Sequence, residues 1–312
     1  MCGIIAAASE RNVGKLLVQG LHKMEYRGYD SAGIALHQND KIAHLRTLGK
    51  VKLLEEKMIA EKPKSKLGIA HTRWATHGEP SEENAHPHKS NDRVYIVHNG
   101  IIENYLDLKD FLKQEGYSFT SQTDSELIAH MLEYFLSKGN TMLDAMYLTK
   151  EKLDGAYAIA AIDKEDDTNI IIARSKSPLL IGVGIDEFLA ASDPLAIGQL
   201  TNEFIFLEDG DVAEISSQSY TIFDESKNKV DREITNIDIS SQATSKGEYK
   251  HFMEKEIYEQ PEAILNTIDG RVGGDDVLDN IFGLGSSDMF EKVKRVQIVA
   301  CGTSLHAGRV AA

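Results

Sequence analysis

The sequence predicts an α+β fold in which two β-sheets stack face to face between outer helices, followed by the beginning of an α/β domain. The predicted elements run in the order strand, helix, several strands, three helices and many strands. Several strand segments are apolar on both faces, and such strands are buried on both sides by helices or by another sheet. Near residue 236 the composition changes to Ser, Gln, Thr, Lys and Gly without periodicity, which indicates a linker.

The first hundred residues alternate short strands with one amphipathic helix. Apolar residues at helical spacing predict a helix at residues 13–24, with Asn12 as its cap. Two glycines and an aspartate predict a loop at residues 25–33. Strands are predicted at residues 2–8, 33–36, 42–45, 67–71 and 94–97.

Three helices and a long series of strands follow. Helices are predicted at residues 105–114, 125–137 and 142–153, the last of which stops at a good C-terminal signal, Asp154-Gly155. After the linker, residues 249–269 are predicted to form a helix interrupted by Pro261. Residues 296–304 are predicted to form a strand that enters a glycine-containing turn, the usual start of a parallel α/β domain. The strands before the linker are predicted at residues 156–162, 170–173, 179–183, 188–191, 204–207, 212–215 and 220–223.

Size, charge and cysteine content exclude several classes of protein. Because 312 residues exceed the usual size of one domain, we expect a domain at 1–237, a linker at 238–249 and a second, incomplete domain at 250–312. A net charge of −15 argues against a nucleic-acid partner. No apolar run approaches the roughly 20 residues that a membrane span needs. Two distant cysteines without a signal peptide predict a reduced, cytoplasmic protein.

Cys2 is the candidate nucleophile of the chain. Initiator methionine is usually removed when a small residue follows it, which would leave Cys2 as the N-terminus. Its thiol could then attack a carbonyl, while its α-amine, with a reference pKa of about 7.7–8.0, could move protons near neutral pH. The alternative is that Cys2 is a small apolar residue that opens a buried strand, since free cysteine is often simply buried.

Two polar segments could complete a site around this nucleophile. Asn99-Gly100 offers a side-chain amide and an unobstructed backbone N–H to an oxyanion, although Asn-Gly is also the favoured hairpin turn. Arg73 carries a guanidinium group that suits a substrate carboxylate, and Trp74 could cover a small pocket. The alternative for this second segment is an ordinary loop with a salt bridge.

One aspartate and a group of histidines are the remaining candidates. Asp124, just before a predicted helix, could bind a substrate ammonium group or could cap the helix. The histidines could suggest a metal site, but no Cys or Glu completes a familiar ligand spacing, so we expect neither a metal nor a cofactor. These histidines are His71, His77, His86, His88 and His98.

Five segments occur together in the order and context of a known family. They are Met1-Cys-Gly-Ile-Ile, Glu25-Tyr-Arg-Gly-Tyr-Asp-Ser-Ala-Gly33, His71-Thr-Arg-Trp-Ala-Thr-His-Gly78, His98-Asn-Gly100 and Thr123-Asp124. Through them the chain resembles the glutaminase half of the glutamine–fructose-6-phosphate aminotransferases, also called glucosamine-6-phosphate synthases. The closing Ala300-Cys-Gly-Thr-Ser304 resembles the first sugar-phosphate-binding strand of that family's isomerase domain. The resemblance runs through the whole chain.

The resemblance implies a fold and a set of residue roles. The implied fold is the N-terminal-nucleophile (Ntn) hydrolase αββα four-layer sandwich, followed by a truncated start of an α/β sugar-isomerase (SIS) domain. The implied reaction is hydrolysis of L-glutamine through a γ-glutamyl thioester, with ammonia channelled in the full-length enzyme to fructose 6-phosphate. The implied roles are Cys2 as nucleophile with its α-amine as base, Asn99 and Gly100 as oxyanion hole, Arg73 and Asp124 as binders of the glutamine α-carboxylate and α-ammonium, Thr76, His77 and Gly78 as site lining, Trp74 as gate of the ammonia tunnel, and Thr303 and Ser304 as sugar-phosphate contacts.

The chain departs from the family at its end, because the family continues for roughly as long again with two isomerase halves. We therefore expect this chain to hydrolyse glutamine but not to make glucosamine 6-phosphate by itself. The family dimerises largely through the isomerase part, so a full-length homodimer is expected and a monomer is compatible with this chain alone.

Two alternatives remain open. Related N-terminal-cysteine amidotransferases serve phosphoribosylamine or asparagine synthesis, but the closing Cys-Gly-Thr-Ser segment argues against them. The chain could also be a catalytically silent regulatory or binding module that kept the fold. Loss of Cys2, Asn99 or Arg73 would indicate such a module, and all three are present.

Overall fold

The computed structural model describes residues 2–75, 78–239, 249–268, 272–273, 276–277 and 292–312. The chain divides into two compact units, Met1–Ser245 and Lys246–Ala312. The helices of the first unit are α1 (Gly14–Lys23), α2 (Val51–Glu61), α3 (Tyr105–Gln114), α4 (Glu126–Ser137) and α5 (Met142–Lys150). Its strands are β1 (Gly3–Ser9), β2 (Ser31–Gln38), β3 (Lys41–Leu48), β4 (Leu67–Arg73), β5 (His88–Ser90), β6 (Val94–Ile102), β7 (Gly155–Asp163), β8 (Ile170–Ser175), β9 (Leu180–Val183), β10 (Glu187–Ala191), β11 (Glu203–Phe206), β12 (Val212–Ile215), β13 (Tyr220–Phe223), β14 (Lys229–Val230) and β15 (Ile234–Asn236).

The strands of the first unit form two sheets. The eight-stranded sheet has the order β15-β11-β9-β10-β1-β4-β2-β3, and the seven-stranded sheet has the order β14-β13-β12-β8-β7-β6-β5. The strand β1 lies inside the first sheet between β10 and β4, antiparallel to both. The strand β6 pairs with β5 and β7, also antiparallel. Each sheet thus has one internal strand that lies at a predicted site residue, since β1 follows Cys2 and β6 contains Asn99 and Gly100.

The alternation of β1 shows how the layers are built. Successive side chains of a strand point to opposite faces. Ile5 and Ala7 lie in a cluster with Leu17 of α1 and Leu54 of α2, so this face of the sheet packs against helices. Ile4 and Ala6 belong to a different cluster, which the second sheet completes. Because both faces of β1 are buried, its residues from Gly3 to Ala8 have no polar side chain, as the predicted strand required.

A third cluster covers the outer face of the second sheet. Leu132 of α4 and Met146 of α5 pack there with Ile96 of β6 and Ile159 of β7. The first unit therefore has the layers helix, sheet, sheet and helix. This is the αββα sandwich that the sequence and the resemblance predicted.

The first two helices differ from the prediction. The helix α2 was not predicted. Its buried residues Val51, Leu54 and Met58 have the spacing that places side chains on one face of a helix. Asn12 does not cap α1, because the N-cap position is Val13 and makes no side-chain bond. The Asn12 side-chain oxygen accepts from the backbone N–H of Gly14, the first residue of α1, at 3.4 Å and from that of Ser65 at 3.1 Å, and so attaches the start of the helix to the segment before β4.

The second unit, described by itself, contains α6 (Phe252–Ile268), β16 (Val272–Gly273), β17 (Asp276–Val277) and α7 (Gly302–Ala311). The predicted interruption at Pro261 is wrong, because α6 continues through it. A proline removes one backbone N–H donor, and here the helix continues on both sides of that gap. The predicted linker falls largely on residues 240–248, outside the described residues.

The strand predicted at residues 296–304 is wrong as well. Residues 293–301 carry no strand, and the chain enters α7 at Gly302. A strand pairs its backbone N–H and C=O groups with a neighbouring strand. Within the part of this unit that the structure describes, the two-residue strands β16 and β17 pair with each other and not with this segment. In the described ranges, no helix is long and apolar enough to cross a membrane.

The strand β11 allows a matched test of the core. Phe204 is 0% exposed and Phe206, two residues further along β11, is 43% exposed. We expect Phe204→Ala to lower the free energy of unfolding by about 3–5 kcal/mol, because it leaves a cavity where an aromatic ring was. The control Phe206→Ala should cost less than about 1 kcal/mol. Chemical denaturation followed by circular dichroism measures both, and equal losses would contradict the described core.

Candidate active site

The candidate site lies where the start of β1 meets the ends of β4 and β6. Gly3 pairs with Thr72, so Cys2 lies beside the segment that follows β4. The backbone N–H of Trp74 donates to Cys2 Sγ at 3.2 Å, and the thiol faces the Trp74 carbonyl oxygen at 3.5 Å. Burial raises the pKa of the Cys2 thiol, although the Trp74 N–H acts in the opposite direction. The thiol is therefore protonated at neutral pH and needs a base before it can attack.

Asn99 and Gly100 lie within β6 and not in a turn. Asn99 pairs with Ala158 and Gly100 with Tyr157 across the ladder to β7. The hairpin-turn alternative is therefore wrong. Gly100 has a φ of +133°, and a Cβ atom on it would lie 1.9 Å from the Ala156 carbonyl oxygen. Only glycine fits at this position, which leaves its backbone unobstructed by a side chain.

The Asn99 side chain connects the two sheets at the site. Its Nδ2 donates to the backbone carbonyl oxygen of Cys2 at 3.2 Å. The amide nitrogen carries two N–H groups, and one of them suffices for this bond. The structure therefore brings together the predicted nucleophile and a predicted oxyanion donor, which are almost a hundred residues apart in the sequence.

Arg73 ends β4 and is 3% exposed. Its Nη2 donates to the carbonyl oxygen of Gly78 at 3.0 Å, and Nη1 lies 3.8 Å from the carboxylate of Asp30. The salt bridge considered in the sequence is therefore present, and it involves the same arginine that was predicted to bind a carboxylate. The structure places Arg73, Gly78 and Trp74 in one segment next to Cys2.

Trp74 projects from this segment and is 52% exposed. Its ring packs over Gly28, which has a φ of +78°. A Cβ atom on Gly28 would lie 2.4 Å from the ring, so the segment before β2 supports the indole only if this residue is glycine.

Asp30 is a site residue that the sequence prediction missed. Its Oδ2 accepts from the backbone N–H of Ala75 at 2.5 Å, and its own backbone N–H donates to the Arg73 carbonyl oxygen at 2.8 Å. These bonds fix the backbone from which the Arg73 and Trp74 side chains project. Asp30 lies in one of the segments that carried the resemblance, but local spacing indicated only a loop there.

Asp124 is 4% exposed and lies just before α4. Its Oδ2 accepts from the backbone N–H of Ile102 at 2.8 Å. The helix-cap alternative is wrong, because the N-cap of α4 is Ser125 and no side chain caps the helix there. The bond to Ile102 attaches the carboxylate to the end of β6, the strand that carries Asn99.

The remaining candidates fall outside the described part of the first unit. Thr76 and His77 lie outside the described residues. Thr303 and Ser304 are exposed on the first turn of α7, in the second unit. Among the described residues, no group of three or more His, Cys, Asp and Glu side chains could hold a metal ion.

The four described histidines of this group are buried and neutral. Burial lowers the pKa of both His71 and His88 to about 3, and it also lowers the pKa of His86 and of His98. At physiological pH these imidazoles therefore carry no charge.

Comparison with known proteins agrees with this geometry. Residues 71–199 match a family model described as a glutamine amidotransferase domain, and this segment includes Arg73, Asn99 and Asp124. This part of the chain is therefore similar to glutamine amidotransferase domains.

The curated relatives that this chain matches are longer than the chain itself. It is 49% identical over 312 residues to the glutamine–fructose-6-phosphate aminotransferase [isomerizing] of Vibrio parahaemolyticus, covering 100% of this chain and 51% of the relative. The protein of the same name from Haemophilus influenzae is also 49% identical, over 313 residues, with 100% and 51% covered. The chain thus spans about half the length of these relatives.

Solved structures confirm the fold of the amidotransferase domain. The glutamine phosphoribosylpyrophosphate amidotransferase from B. subtilis, complexed with ADP and GMP, superposes with a TM-score of 0.63 at 26% identity, covering 73% of this chain and 50% of that chain. A structure described as the allosteric regulatory enzyme of purine biosynthesis gives a TM-score of 0.64 at 27% identity, with 73% and 50% covered. The first unit therefore has the Ntn amidotransferase sandwich, as the resemblance implied.

Proposed function

We propose that this chain is the glutaminase part of a glutamine–fructose-6-phosphate aminotransferase and that it hydrolyses L-glutamine to glutamate and ammonia. The observation that carries the proposal is the hydrogen bond from the Asn99 amide to the backbone carbonyl oxygen of Cys2, which places an amide donor at the residue that carries the thiol. The 49% identity to proteins of that name supports the choice among amidotransferases.

The reaction begins with Cys2 at the N-terminus after removal of Met1. The α-amine of Cys2, with a reference pKa of about 7.7–8.0, takes the thiol proton through a water molecule. This step is needed because burial keeps the thiol protonated. Sγ then attacks the γ-carbonyl carbon of glutamine, and the carbonyl oxygen becomes an oxyanion. The Asn99 amide and the Gly100 backbone N–H donate to that oxyanion.

Collapse of the tetrahedral intermediate divides the reaction into two halves. The C–N bond breaks, and ammonia leaves with the proton that the α-amine returns. A γ-glutamyl thioester remains on Cys2. A water molecule, deprotonated by the same amine, attacks the thioester carbon. Glutamate leaves, and the proton restores the thiol.

The buried side chains of Arg73 and Asp124 are suited to bind the α-carboxylate and the α-ammonium group of free glutamine. In this proposal, Arg73 binds the α-carboxylate and Asp124 the α-ammonium, while Thr76, His77 and Gly78 line the site. The burial of Arg73 and Asp124 supports these roles, because a charge pair interacts more strongly away from water. A zwitterionic amino acid would complement both charges at once.

For the whole protein we propose fructose 6-phosphate as the acceptor of ammonia and glucosamine 6-phosphate as the product. Trp74 acts as the gate of the ammonia path, consistent with its exposed position over Gly28. Thr303 and Ser304 contact the sugar phosphate, since backbone N–H groups at a helix start favour phosphate.

The organisation of the whole protein is also part of the proposal. The glutaminase domain comprises residues 1–237, residues 238–249 link it to the next domain, and residues 250–312 begin the sugar-isomerase (SIS) domain. The whole protein is a cytoplasmic homodimer.

An intact-mass measurement tests the glutaminase proposal. The purified chain is weighed before and after incubation with an electrophilic glutamine analogue. We expect a mass that lacks Met1, followed by one stoichiometric adduct that peptide mapping places on Cys2. A retained Met1 without an adduct would contradict the catalytic role and favour the silent binding module.

Arg73→Lys tests the proposed carboxylate contact. We expect KM for glutamine to rise by about 10- to 100-fold with little change in kcat, because an ammonium group cannot replace the planar two-pronged donor. Steady-state glutaminase kinetics measures this. The control Arg11→Lys changes an arginine that pairs with Glu187 and should leave KM unchanged. An unchanged KM in Arg73→Lys would assign the carboxylate to another residue.

A further inference from the structure

His71 is a buried residue of β4 to which the proposed reaction gives no role. It pairs with Ile4 of β1 and is fully buried. Its Nε2 lies 2.9 Å from Oδ1 of Asn99, the residue that also contacts Cys2. His71 therefore touches the proposed oxyanion donor directly and lies on the side away from the nucleophile's carbonyl.

The chemistry of this contact determines where the hydrogen atom is. An amide oxygen only accepts hydrogen bonds, so Nε2 must carry the proton and donate it to Asn99. The ring is neutral, because burial lowers its pKa to about 3. Nδ1 is then unprotonated, and in the described structure it is buried without a hydrogen-bond partner. The Nε2–H group therefore donates a hydrogen bond to the Asn99 side chain.

The bond selects one of two orientations of the Asn99 amide. With Oδ1 held by His71, Nδ2 must point to the Cys2 carbonyl, as observed. If the amide were rotated by half a turn, Oδ1 would face the Cys2 carbonyl oxygen and Nδ2 would face the Nε2–H of His71. Acceptor would meet acceptor at Cys2. At His71, donor would meet donor unless the ring moved its proton to Nδ1, which is buried without a hydrogen-bond partner in the described structure, and either arrangement is unfavourable in a buried site.

A neighbouring histidine, His86, can be used to distinguish the effect of the hydrogen bond of His71 from the effect of its packing. The ring of His86 lies 4.1 Å from the ring of His71, measured between centroids. Both nitrogens of His86 are buried without a partner among the described residues. His86 therefore packs against His71 but makes no bond to Asn99, and it provides a matched control.

We propose that His71 is a positioning residue of the glutaminase reaction, which holds the Asn99 amide with its NH2 group turned towards the nucleophile. The inference rests on the proposed function, because His71 acts only through an Asn99 that stabilises an oxyanion. An oxyanion forms in the transition state and not in bound glutamine, so His71 affects kcat and leaves KM nearly unchanged.

A double-mutant cycle in the full chain tests the proposal. Glutaminase kcat and KM are measured for the parent chain, His71→Leu, Asn99→Ala and the double variant. We expect His71→Leu to lower kcat by about 10- to 100-fold with KM within about 3-fold, because the loss of one oxyanion donor costs about 10²- to 10³-fold. In the Asn99→Ala background, the same change should alter kcat by less than about 2-fold. Equal fold losses in both backgrounds would overturn the proposal.

Conservative variants keep the test decisive if His71→Leu does not fold. A glutamine at this position can place its amide N–H near the position of Nε2, whereas the asparagine side chain is one carbon shorter. We expect His71→Gln to retain a kcat at least about 5-fold above that of His71→Asn. Equal kcat values for the two would overturn the proposal. His86→Leu should lower kcat by less than about 3-fold, and a loss as large as that of His71→Leu would assign the effect to packing.

The same measurements separate this inference from the proposed function. A parent chain that neither turns over glutamine nor labels on Cys2 contradicts the proposed function and, with it, the role of His71. An active parent chain in which Asn99→Ala lowers kcat but His71→Leu does not contradicts the role of His71 alone.

Discussion

Cys2→Ala is expected to abolish glutaminase activity and to leave the fold intact. The thiol is the group that forms the proposed thioester, and removal of a nucleophile costs at least about 10⁴-fold in kcat. The side chain precedes β1, and its Sγ bonds only to the backbone of Trp74 in the described structure, so its loss should disturb little packing. Release of ammonia and glutamate measures the activity, and thermal unfolding measures the stability.

The second cysteine of the chain provides the control for this experiment. Cys301 is exposed and lies in the second unit. Cys301→Ala should therefore leave glutaminase activity unchanged while it removes the other thiol. Persistent turnover by a pure preparation of Cys2→Ala would remove Cys2 from the mechanism.

Asn99→Ala is expected to lower kcat by about 10²- to 10³-fold, the typical loss for one oxyanion donor. The amide reaches the Cys2 carbonyl from the neighbouring sheet, and no other side chain in the described residues makes this contact. KM should change much less, because the amide acts on a charge that develops during the reaction. Steady-state kinetics at saturating glutamine separates the two quantities.

A second asparagine controls for the loss of an amide in general. Asn169 lies before β8 and bonds Asp166 within its own loop at 3.0 Å. Asn169→Ala should leave kcat unchanged. An Asn99→Ala effect confined to KM would contradict the oxyanion role and point to a contact with bound glutamine instead.

Local sequence patterns were sufficient to predict a secondary-structure element where its formation depends on its own residues. The helix α3 was predicted at residues 105–114 and lies at Tyr105–Gln114, because its apolar periodicity and flanking signals are local. The burial of both faces of β1 could also be predicted from the sequence, because the segment is a continuous apolar run. Pro261 and the segment before α7 were misjudged, since pairing with other strands and the context of a helix decide them.

The roles of the site residues depended on contacts that the sequence does not show. Spacing alone could not choose between an oxyanion role and a hairpin turn for Asn99-Gly100. The choice depends on the pairing of Gly100 with Tyr157, more than fifty residues away. Asp30 and His71 act through bonds to Ala75 and Asn99, which are equally non-local. The resemblance identified the residues, but the structure supplies their connections.

The proposed nucleophile and its oxyanion donor belong to different sheets. The distance between the two sheets therefore determines how close Asn99 lies to Cys2. Alanines lie among the larger apolar residues that fill the gap between the sheets, including Ala6 and Ala8 of β1 and Ala158 and Ala160 of β7. Larger residues there would push the layers apart and lengthen the distance from Asn99 to Cys2. The alanines of the interior therefore help to set the separation of the two sheets, and with it the distance between Asn99 and Cys2.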